Sequence, residues 1–197
     1  MAANIGRPLE FDPDTALEAA MQQFWSKGYE HTSMQDLLVA MNLSKSSLYQ
    51  TFGGKQPLFR RCVYRYTDQV AQGLGQGLAK APSGRRFIEG FLNSILKEAQ
   101  DRHGPRGCLV MNTATEFAQS EPEIAHDVAQ SIDRFRDVLQ GAVERAQSEG
   151  EIPRERDSQM LANYLVSSMS GLKAQSKAGA DAARLKGIIA LTLKALD

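Results

Sequence analysis

Hydrogen-bonding side chains crowd into one short stretch of the chain, between residues 45 and 50. Its polar members are Lys45, Ser46, Ser47, Tyr49 and Gln50, and they surround the apolar Leu48 and precede Phe52. At helical spacing the apolar pair faces a core and the polar side chains face outward. Ammonium, hydroxyl and amide groups on such a face can bond base edges and phosphates in a DNA major groove. We therefore expect a helix that reads double-stranded DNA, with Gln50 suited to adenine.

The formal charge around this stretch suits a polyanion. No acidic residue occurs from Leu37 to Thr67, whereas the same interval contains Lys45, Lys55, Arg60, Arg61 and Arg65. Because the whole chain has a formal net charge of +0, the positive charge is local and a generally basic coat protein is excluded. The alternative interpretation is an ordinary solvated face.

Phosphate contacts are expected where helices begin, since the backbone N–H groups there favour anions. Thr32 and Ser33 open the second predicted helix, and Lys55 opens the fourth. Arg7, in the segment before the first helix, is a candidate for the minor groove, and an unstructured tail is the alternative.

Cys108 is the second candidate site. It follows Gly107 at the start of a predicted helix, a position that favours the reactive thiolate, and cationic side chains lie just upstream: Arg102, His103 and Arg106. At spacings of four and three, Asn112 and Thr115 share its helix face, and Glu116 lies beside them. We expect this face to line a ligand or sensor pocket. The alternative is that Cys108 is a small buried hydrophobe, as we expect for Cys62.

Other chemistries find little support in the sequence. The three histidines have no metal-ligand spacing with the two cysteines, so we expect neither a metal nor a cofactor. A glycine-rich phosphate loop, a nucleophile elbow and paired carboxylates are all missing. A small helical thiol-dependent enzyme acting through Cys108 remains the alternative function, and a helical adaptor would leave the basic stretch unexplained.

Cysteine usage and hydropathy bound the location. Two cysteines do not form a disulfide framework, which is typical of a reduced, cytoplasmic protein. No apolar run reaches the roughly 18 residues of a membrane span, and the N-terminus does not have the pattern of a signal peptide.

Helical periodicity dominates the chain and predicts about nine helices. The first begins at Asp12 and ends at Gly28, and Thr32 with Gln35 predicts a capping box for the second. Ser44 is expected to cap the third helix, which Gly53 and Gly54 end. The fourth helix is predicted from about Gln56 to the glycine-rich run Gln72–Gly77, and the fifth begins after Gly84. The sixth is predicted over Cys108–Ala118, and the seventh ends at about Glu149. The eighth and ninth are predicted over Asp157–Lys177 and Asp181–Leu196.

The last two helices combine small and apolar residues. On the ninth, one stripe contains Leu185, Ile188, Ile189 and Leu196. Because small residues on the eighth helix permit close approach, we expect these two helices to form a four-helix interface with a second copy. The alternative is an intramolecular core face.

The segment Phe11–Phe59 resembles the DNA-binding part of the tetracycline-repressor (TetR) family. It reads FDPDTALEAAMQQFWSKGYEHTSMQDLLVAMNLSKSSLYQTFGGKQPLF, and the weaker similarity beyond it covers the rest of the chain. The run R-G-C-L at Arg106–Leu109, followed by N-T-A-x-E, resembles a subgroup in which some members sense electrophiles or oxidants through this cysteine.

The resemblance implies an all-α homodimer. A helix-turn-helix domain would occupy residues 1–56 and a ligand-binding and dimerisation domain residues 57–197, with the fourth helix shared from about residue 56. The implied function is that of a sequence-specific transcriptional regulator. It would be a repressor that binds a double-stranded DNA operator and is released by a small-molecule inducer or by modification of Cys108.

Overall fold

The computed structural model describes residues 11–99, 105–117 and 121–197, and in these residues the chain is all-α, as predicted. The described residues form nine helices: α1 Pro13–Lys27, α2 Met34–Met41, α3 Lys45–Phe52, α4 Lys55–Lys80, α5 Gly84–Ala99, α6 Leu109–Phe117, α7 Pro122–Ser148, α8 Ser158–Lys177 and α9 Ala182–Lys194. Two compact units are separated between Cys62 and Val63, inside α4 and slightly beyond the boundary expected at residue 56.

Aromatic packing organises the first unit. Asp12 caps α1 by accepting from the backbone N–H groups of Asp14 and Thr15, and Gly28 ends the helix with φ of 81°. Phe24, near the end of α1, is buried and lies edge-on to Phe59 with ring centroids 4.9 Å apart. Phe59 belongs to α4, so this contact holds α1 against the start of α4.

Ser33 caps α2, so the capping box predicted for Thr32 and Gln35 is wrong by one residue. The Ser33 hydroxyl accepts from the backbone N–H of Asp36, and the Asp36 carboxylate accepts from the backbone N–H of Ser33 at 2.9 Å. Thr32 is buried and its hydroxyl donates to the Gly28 carbonyl at 2.6 Å. Thr32 with Gln35 and Ser33 with Asp36 both have the spacing of a capping box. The charged carboxylate of Asp36 bonds the backbone N–H groups at the helix start more strongly than the amide of Gln35 would.

α4 continues to Lys80, which corrects the prediction that it ends in the run Gln72–Gly77. Leu74 and Leu78 pack against the core of the second unit, and this burial outweighs the roughly 1 kcal/mol that each glycine costs in a helix. Gly77 also has a packing role, because a Cβ there would lie 3.2 Å from the Phe87 ring. Arg145 of α7 donates to the carbonyl of Leu78 at 2.8 Å and so caps the last turn of α4.

The second unit has its core between α5, α7, α8 and α9. At Gly84 the start of α5 crosses α7 so closely that a Cβ would lie 2.4 Å from the Ala142 carbonyl oxygen. Two carboxylates just after the end of α7 cap the start of α5. Glu149 accepts from the backbone N–H of Gly84 at 2.8 Å, and Glu151 accepts from that of Arg85 at 3.1 Å.

The cap at Glu149 makes the stability of this unit dependent on pH. The backbone N–H of Gly84 and the guanidinium of Arg145 hold the pKa of Glu149 below its ordinary value. The stabilisation is therefore fully present above the unfolded pKa of about 4.3 and is lost as pH falls through the lower folded value. We expect Glu149→Gln to lower the melting temperature at pH 7 and to match the wild type in strong acid. Thermal unfolding across pH checks this, with Glu155→Gln as the exposed control; a pH-independent difference would contradict it.

The apolar stripe of α9 lies inside its own chain, which corrects the predicted dimer interface. Leu185, Ile189 and Leu196 are buried in the core of the second unit, and Ile188 packs partly buried against it. Periodicity identifies an apolar face but does not say which element covers it, so the alternative of an intramolecular face holds for these four residues.

Candidate nucleic-acid interface and ligand cavity

α3 is a short helix with a buried apolar side and an exposed polar side. Leu48 and Phe52 are buried, whereas Lys45, Ser46, Tyr49 and Gln50 are exposed and Ser47 is half-buried. The structure therefore brings the five polar residues of the predicted DNA-reading helix together on its outer side. Leu48 and Phe52 hold that helix against the core of the first unit.

Hydroxyl groups cluster at the start of α3. Ser44 caps the helix by accepting from the backbone N–H of Ser47 at 3.1 Å. Its oxygen also lies 3.0 Å from the Ser46 hydroxyl and 2.9 Å from the Ser47 hydroxyl. A phosphate bound at this helix start would accept hydrogen bonds from these hydroxyls in place of the bonds that they make with one another.

Two residues after α3 fix the positions of predicted DNA contacts. Gly54 has φ of 122°, and a Cβ there would lie 3.3 Å from Cε1 of Tyr49, so the absence of a side chain leaves room for the tyrosine ring. The Lys55 ammonium lies 4.2 Å from the centroid of the Tyr29 ring, a cation–π contact at the first residue of α4. Lys55 is thus held by the fold at a helix N-terminus.

Arg61 has a structural role that the charge pattern did not distinguish. Its guanidinium donates to the Thr51 carbonyl at 3.1 Å and lies 5.6 Å from the Phe52 ring centroid. A cation at the C-terminal end of α3 satisfies a carbonyl that the helix leaves without a partner. In the sequence Arg61 is one of five basic residues, and nothing in its spacing from Thr51 separates it from the others.

The start of α2 differs from the prediction. The buried Thr32 hydroxyl is bonded to Gly28, so its side chain does not present itself to a phosphate, while Ser33 is exposed. Asp36 lies at the same end and forms a 2.8 Å ion pair with Lys27. The hydrogen bond from Lys27, followed by those from Ser33, lowers the pKa of Asp36 well below its ordinary value. Arg7 lies outside the described residues.

A small cavity of about 30 Å³ lies within the second unit. Its walls are mainly apolar, with a thiol, a phenol and an amine among them: Tyr66, Val70, Leu74, Phe91, Cys108, Phe135, Leu139, Met169 and Lys173. The Lys173 ammonium forms a 2.7 Å ion pair with Glu98. Such a site has room for one or two water molecules as it stands.

Of the predicted sensor residues, Cys108 lines this cavity and the other three do not. The Asn112 amide donates to the Arg106 carbonyl at 3.0 Å, Thr115 is exposed, and Glu116 is half-buried. Cys108 directly precedes α6, and its carbonyl accepts from the backbone N–H of Asn112, but the Asn112 side chain turns to the Arg106 carbonyl and does not enter the cavity. Arg102 and His103, the cations expected upstream, lie outside the described residues.

The two cysteines differ in their surroundings. Cys62 is fully buried in the first unit, and its thiol lies 3.8 Å from the Leu17 carbonyl oxygen, as expected for a packing residue. Cys108 is 4% exposed, so it too is buried, but it borders a cavity. Exposure alone therefore does not mark Cys108 as the more reactive thiol.

Within residues 11–99, 105–117 and 121–197, no three histidine, cysteine or acidic side chains come together in a way that could hold a metal ion. No helix in this part of the chain is long and apolar enough to cross a membrane.

Known proteins resemble the chain over nearly its whole length. Residues 16–62 match the family described as bacterial regulatory proteins, tetR family, and residues 84–191 match the tetracyclin repressor-like C-terminal domain. The HTH-type transcriptional repressor ComR of Escherichia coli (strain K12) is 31% identical over 96% of this chain and 90% of its own length. The uncharacterized HTH-type transcriptional regulator YezE of Bacillus subtilis (strain 168) is 30% identical over 98% of this chain and 100% of its own.

A solved complex with DNA is also similar. It contains a cysteine mutant of the TetR family transcriptional regulator CifR with 26-base-pair double-strand operator DNA. It superposes with a TM-score of 0.82 at 29% identity and covers 98% of this chain and 100% of that one.

A helix-turn-helix unit followed by a second helical unit defines a DNA-binding regulator that carries both parts in one chain. The chain belongs to the tetracycline-repressor (TetR) family of DNA-binding transcriptional regulators. The family resemblance of Phe11–Phe59 is thereby confirmed, and the alternative of a thiol-dependent enzyme is set aside. Membership in the R-G-C-L subgroup stays a prediction.

Proposed function

We propose that the chain is a homodimeric repressor that binds an operator through two copies of α3 and is released by an inducer or by modification of Cys108. The observation that carries the DNA-reading part is the exposed polar face of α3 over a buried Leu48 and Phe52. Successive major grooves on one side of DNA recur about every 34 Å, so a dimer with two such helices would read two half-sites.

Gln50 is the residue we expect to read a base. It is exposed on α3, and its amide can form two bonds with adenine in the major groove. Gln50→Ala should cost about 1–3 kcal/mol of operator affinity and relax discrimination at one base pair. Fluorescence anisotropy with DNA upstream of the gene, and with single-base variants of it, measures both effects. Gln72→Ala, an exposed amide in the second unit, is the control, and unchanged discrimination in Gln50→Ala would remove the proposed contact.

Lys55 is the residue we expect to bind phosphate. Its ammonium is held over the Tyr29 ring at the first residue of α4. Lys55→Ala should weaken binding to all DNA sequences alike and reduce the salt slope of the affinity by about one unit. Anisotropy titrations at several salt concentrations test this against Lys80→Ala, at the other end of α4. If affinity and salt dependence do not change, Lys55 does not anchor a phosphate.

The dimer would use the outward faces of α8 and α9. Exposed residues at helical spacing there are apolar or small: Met160, Tyr164, Ser167, Gly171 and Ala174 on α8, and Ala183, Gly187, Ala190 and Leu191 on α9. A Cβ at Gly171 or Gly187 would meet nothing within 4 Å in its own chain, so packing inside the protomer does not require glycine there. Small residues permit a second copy to approach closely, which favours the four-helix interface with this corrected face.

Release from DNA requires a ligand or a modification that distinguishes two states of the dimer. Cys108 and Lys173 give the cavity a nucleophile and a half-buried cation among apolar walls. A covalent modifier would act at the thiol. A non-covalent inducer would occupy the same cavity after its walls had moved apart, and the Lys173–Glu98 pair favours one that carries a polar group.

The role of Cys108 can be separated from that of Cys62. A small electrophile should modify Cys108 first, because the neighbouring cavity gives the reagent an approach, and the modified protein should release the operator. Cys108→Ser should bind DNA but no longer respond, whereas Cys62→Ser should respond like the wild type. Mass-spectrometric labelling rates and gel shifts on both variants measure this. If Cys108→Ser is released as readily as the wild type, the cysteine only packs and the non-covalent inducer becomes the better hypothesis.

A further inference from the structure

The α4 helix forms one wall of the cavity beside Cys108. Tyr66, Val70 and Leu74 follow one another at spacings of four and all line the cavity. The other walls come from α5, α7 and α8, which pack on one another in the core of the second unit. Of these four helices, α4 alone continues across the boundary between Cys62 and Val63. Displacement of this wall would therefore be passed along one continuous helix.

Tyr66 connects that wall directly to the thiol. Tyr66 and Cys108 both line the cavity, and the Tyr66 hydroxyl lies within hydrogen-bonding reach of the Cys108 thiol and of the backbone N–H of Leu109. Burial, followed by the neighbouring thiol, raises the pKa of Tyr66 above its ordinary value, so the phenol keeps its proton at neutral pH and remains a donor. Both residues are 4% exposed, so water does not readily replace the bond when it is lost.

The cavity is too small to accept an added group without movement. Its volume of about 30 Å³ suits one or two waters. Even the carbamidomethyl group that iodoacetamide adds brings four non-hydrogen atoms to the sulfur. Such a group must push a wall outward, and on the α4 wall the Tyr66 phenol is the group that interacts with the thiol.

We propose that the Tyr66–Cys108 hydrogen bond transmits the chemical state of the thiol to α4, which makes Tyr66 a positioning residue of the switch. This inference rests on the proposed sensing role of Cys108. With a free thiol the bond holds α4 in the arrangement that binds the operator. A group on the sulfur removes the hydrogen bond and displaces the phenol. The arrangement of α4 that binds DNA is then no longer lower in free energy than the arrangement that does not bind DNA.

A double-mutant cycle tests this without any reagent. Tyr66→Phe removes only the hydroxyl and Cys108→Ala only the thiol, so each should weaken operator binding by about three- to tenfold, the worth of a buried hydrogen bond. The double variant should bind no more weakly than either single variant, because both remove the same bond. Cys108→Ser keeps an acceptor for the phenol and should bind like the wild type. Circular dichroism melts establish that each variant is folded.

Thr67 provides the matched control on α4. It is buried beside Tyr66 but outside the cavity, and its hydroxyl donates to the Val63 carbonyl at 2.8 Å and lies 2.9 Å from the Ser131 hydroxyl. Thr67→Val removes an equally buried hydroxyl, and any change in affinity that it causes should add to that of Cys108→Ala. If the effects of Tyr66→Phe and Cys108→Ala add in the same way, or if neither changes the affinity, the proposed link is wrong.

Iodoacetamide then tests the response itself. The sulfur displaces iodide to form a thioether, and the thiol proton passes to the buffer. Alkylation should raise the operator Kd of the wild type, and this rise should be about three- to tenfold smaller in Tyr66→Phe, which lacks the bond beforehand. An equal rise in both proteins overturns the role of Tyr66 and leaves Cys108 as a sensor. If Cys108→Ser is released as readily as the wild type, the sensing role fails, and the reagent-free cycle still decides whether the hydrogen bond reaches α4.

Discussion

Gly84→Ala should lower the free energy of unfolding by about 3 kcal/mol or more, the range of severe overpacking. An added Cβ would lie 2.4 Å from the Ala142 carbonyl oxygen and 2.5 Å from the Ala146 backbone nitrogen. Both contacts are with the backbone of α7, which cannot turn aside as a flexible side chain can. The first turn of α5 would have to move away, and the hydrogen bond from Gly84 to Glu149 would be strained with it.

Gly90 provides the matched control for this substitution. It lies on the exposed side of the same helix, and a Cβ there would meet nothing within 4 Å. Gly90→Ala should therefore stabilise the protein by about 0.5–1 kcal/mol through helix propensity. Urea unfolding followed by circular dichroism measures both variants. Equal effects of the two substitutions would contradict the close crossing of α5 and α7.

The helix α3 was predictable because its signals are local. Ser44 before the helix, Leu48 and Phe52 one turn apart and Gly53 after it are all specified within ten residues of sequence. Capping, periodicity and the left-handed glycine act through neighbours along the chain, and the structure places each of them as predicted.

Features that depend on tertiary contacts were not predictable in the same way. The glycines of α4 weaken a helix by themselves, but Leu74 and Leu78 bury against the second unit and the helix continues. Cys108 has the correct spacing to share a face with Asn112, yet the Asn112 amide bonds to the Arg106 carbonyl and does not line the cavity. Arg61 and Thr51 belong to different helices, and Tyr66 of α4 meets Cys108 just before α6, so no spacing rule within one helix identifies these contacts.

The buried stripe of α9 cannot serve to test the dimer. Ile189 is 3% exposed in its own chain, so a charge there would unfold the protomer whether or not a dimer exists. Leu191 is 69% exposed on the opposite side of α9. A charge at Leu191 is hydrated in a single protomer and becomes buried only if a second copy covers this face.

Leu191→Glu should therefore separate the dimer without unfolding the protomer. The buried, unpaired carboxylates would cost several kcal/mol in the interface, on the order of 1–3 kcal/mol or more for each. Loss of the second α3 should then weaken operator binding by about 100-fold, since the two half-sites would no longer be bound by one linked molecule. Size exclusion with light scattering gives the mass, melting curves give the stability, and anisotropy gives the affinity.

Ala129→Glu, which places the same charge at an exposed position of α7, is the control and should remain dimeric with full affinity. A dimeric Leu191→Glu with unchanged affinity would show that the outward face of α9 is not the interface. A wild-type protein that is monomeric at micromolar concentration would remove the mechanism of two half-sites altogether. Suppose that Leu191→Glu is folded, monomeric and weak in operator binding, whereas Ala129→Glu is dimeric and binds with full affinity. The exposed leucine is then the part of α9 that joins the protomers, and the buried stripe behind it only holds the helix in place.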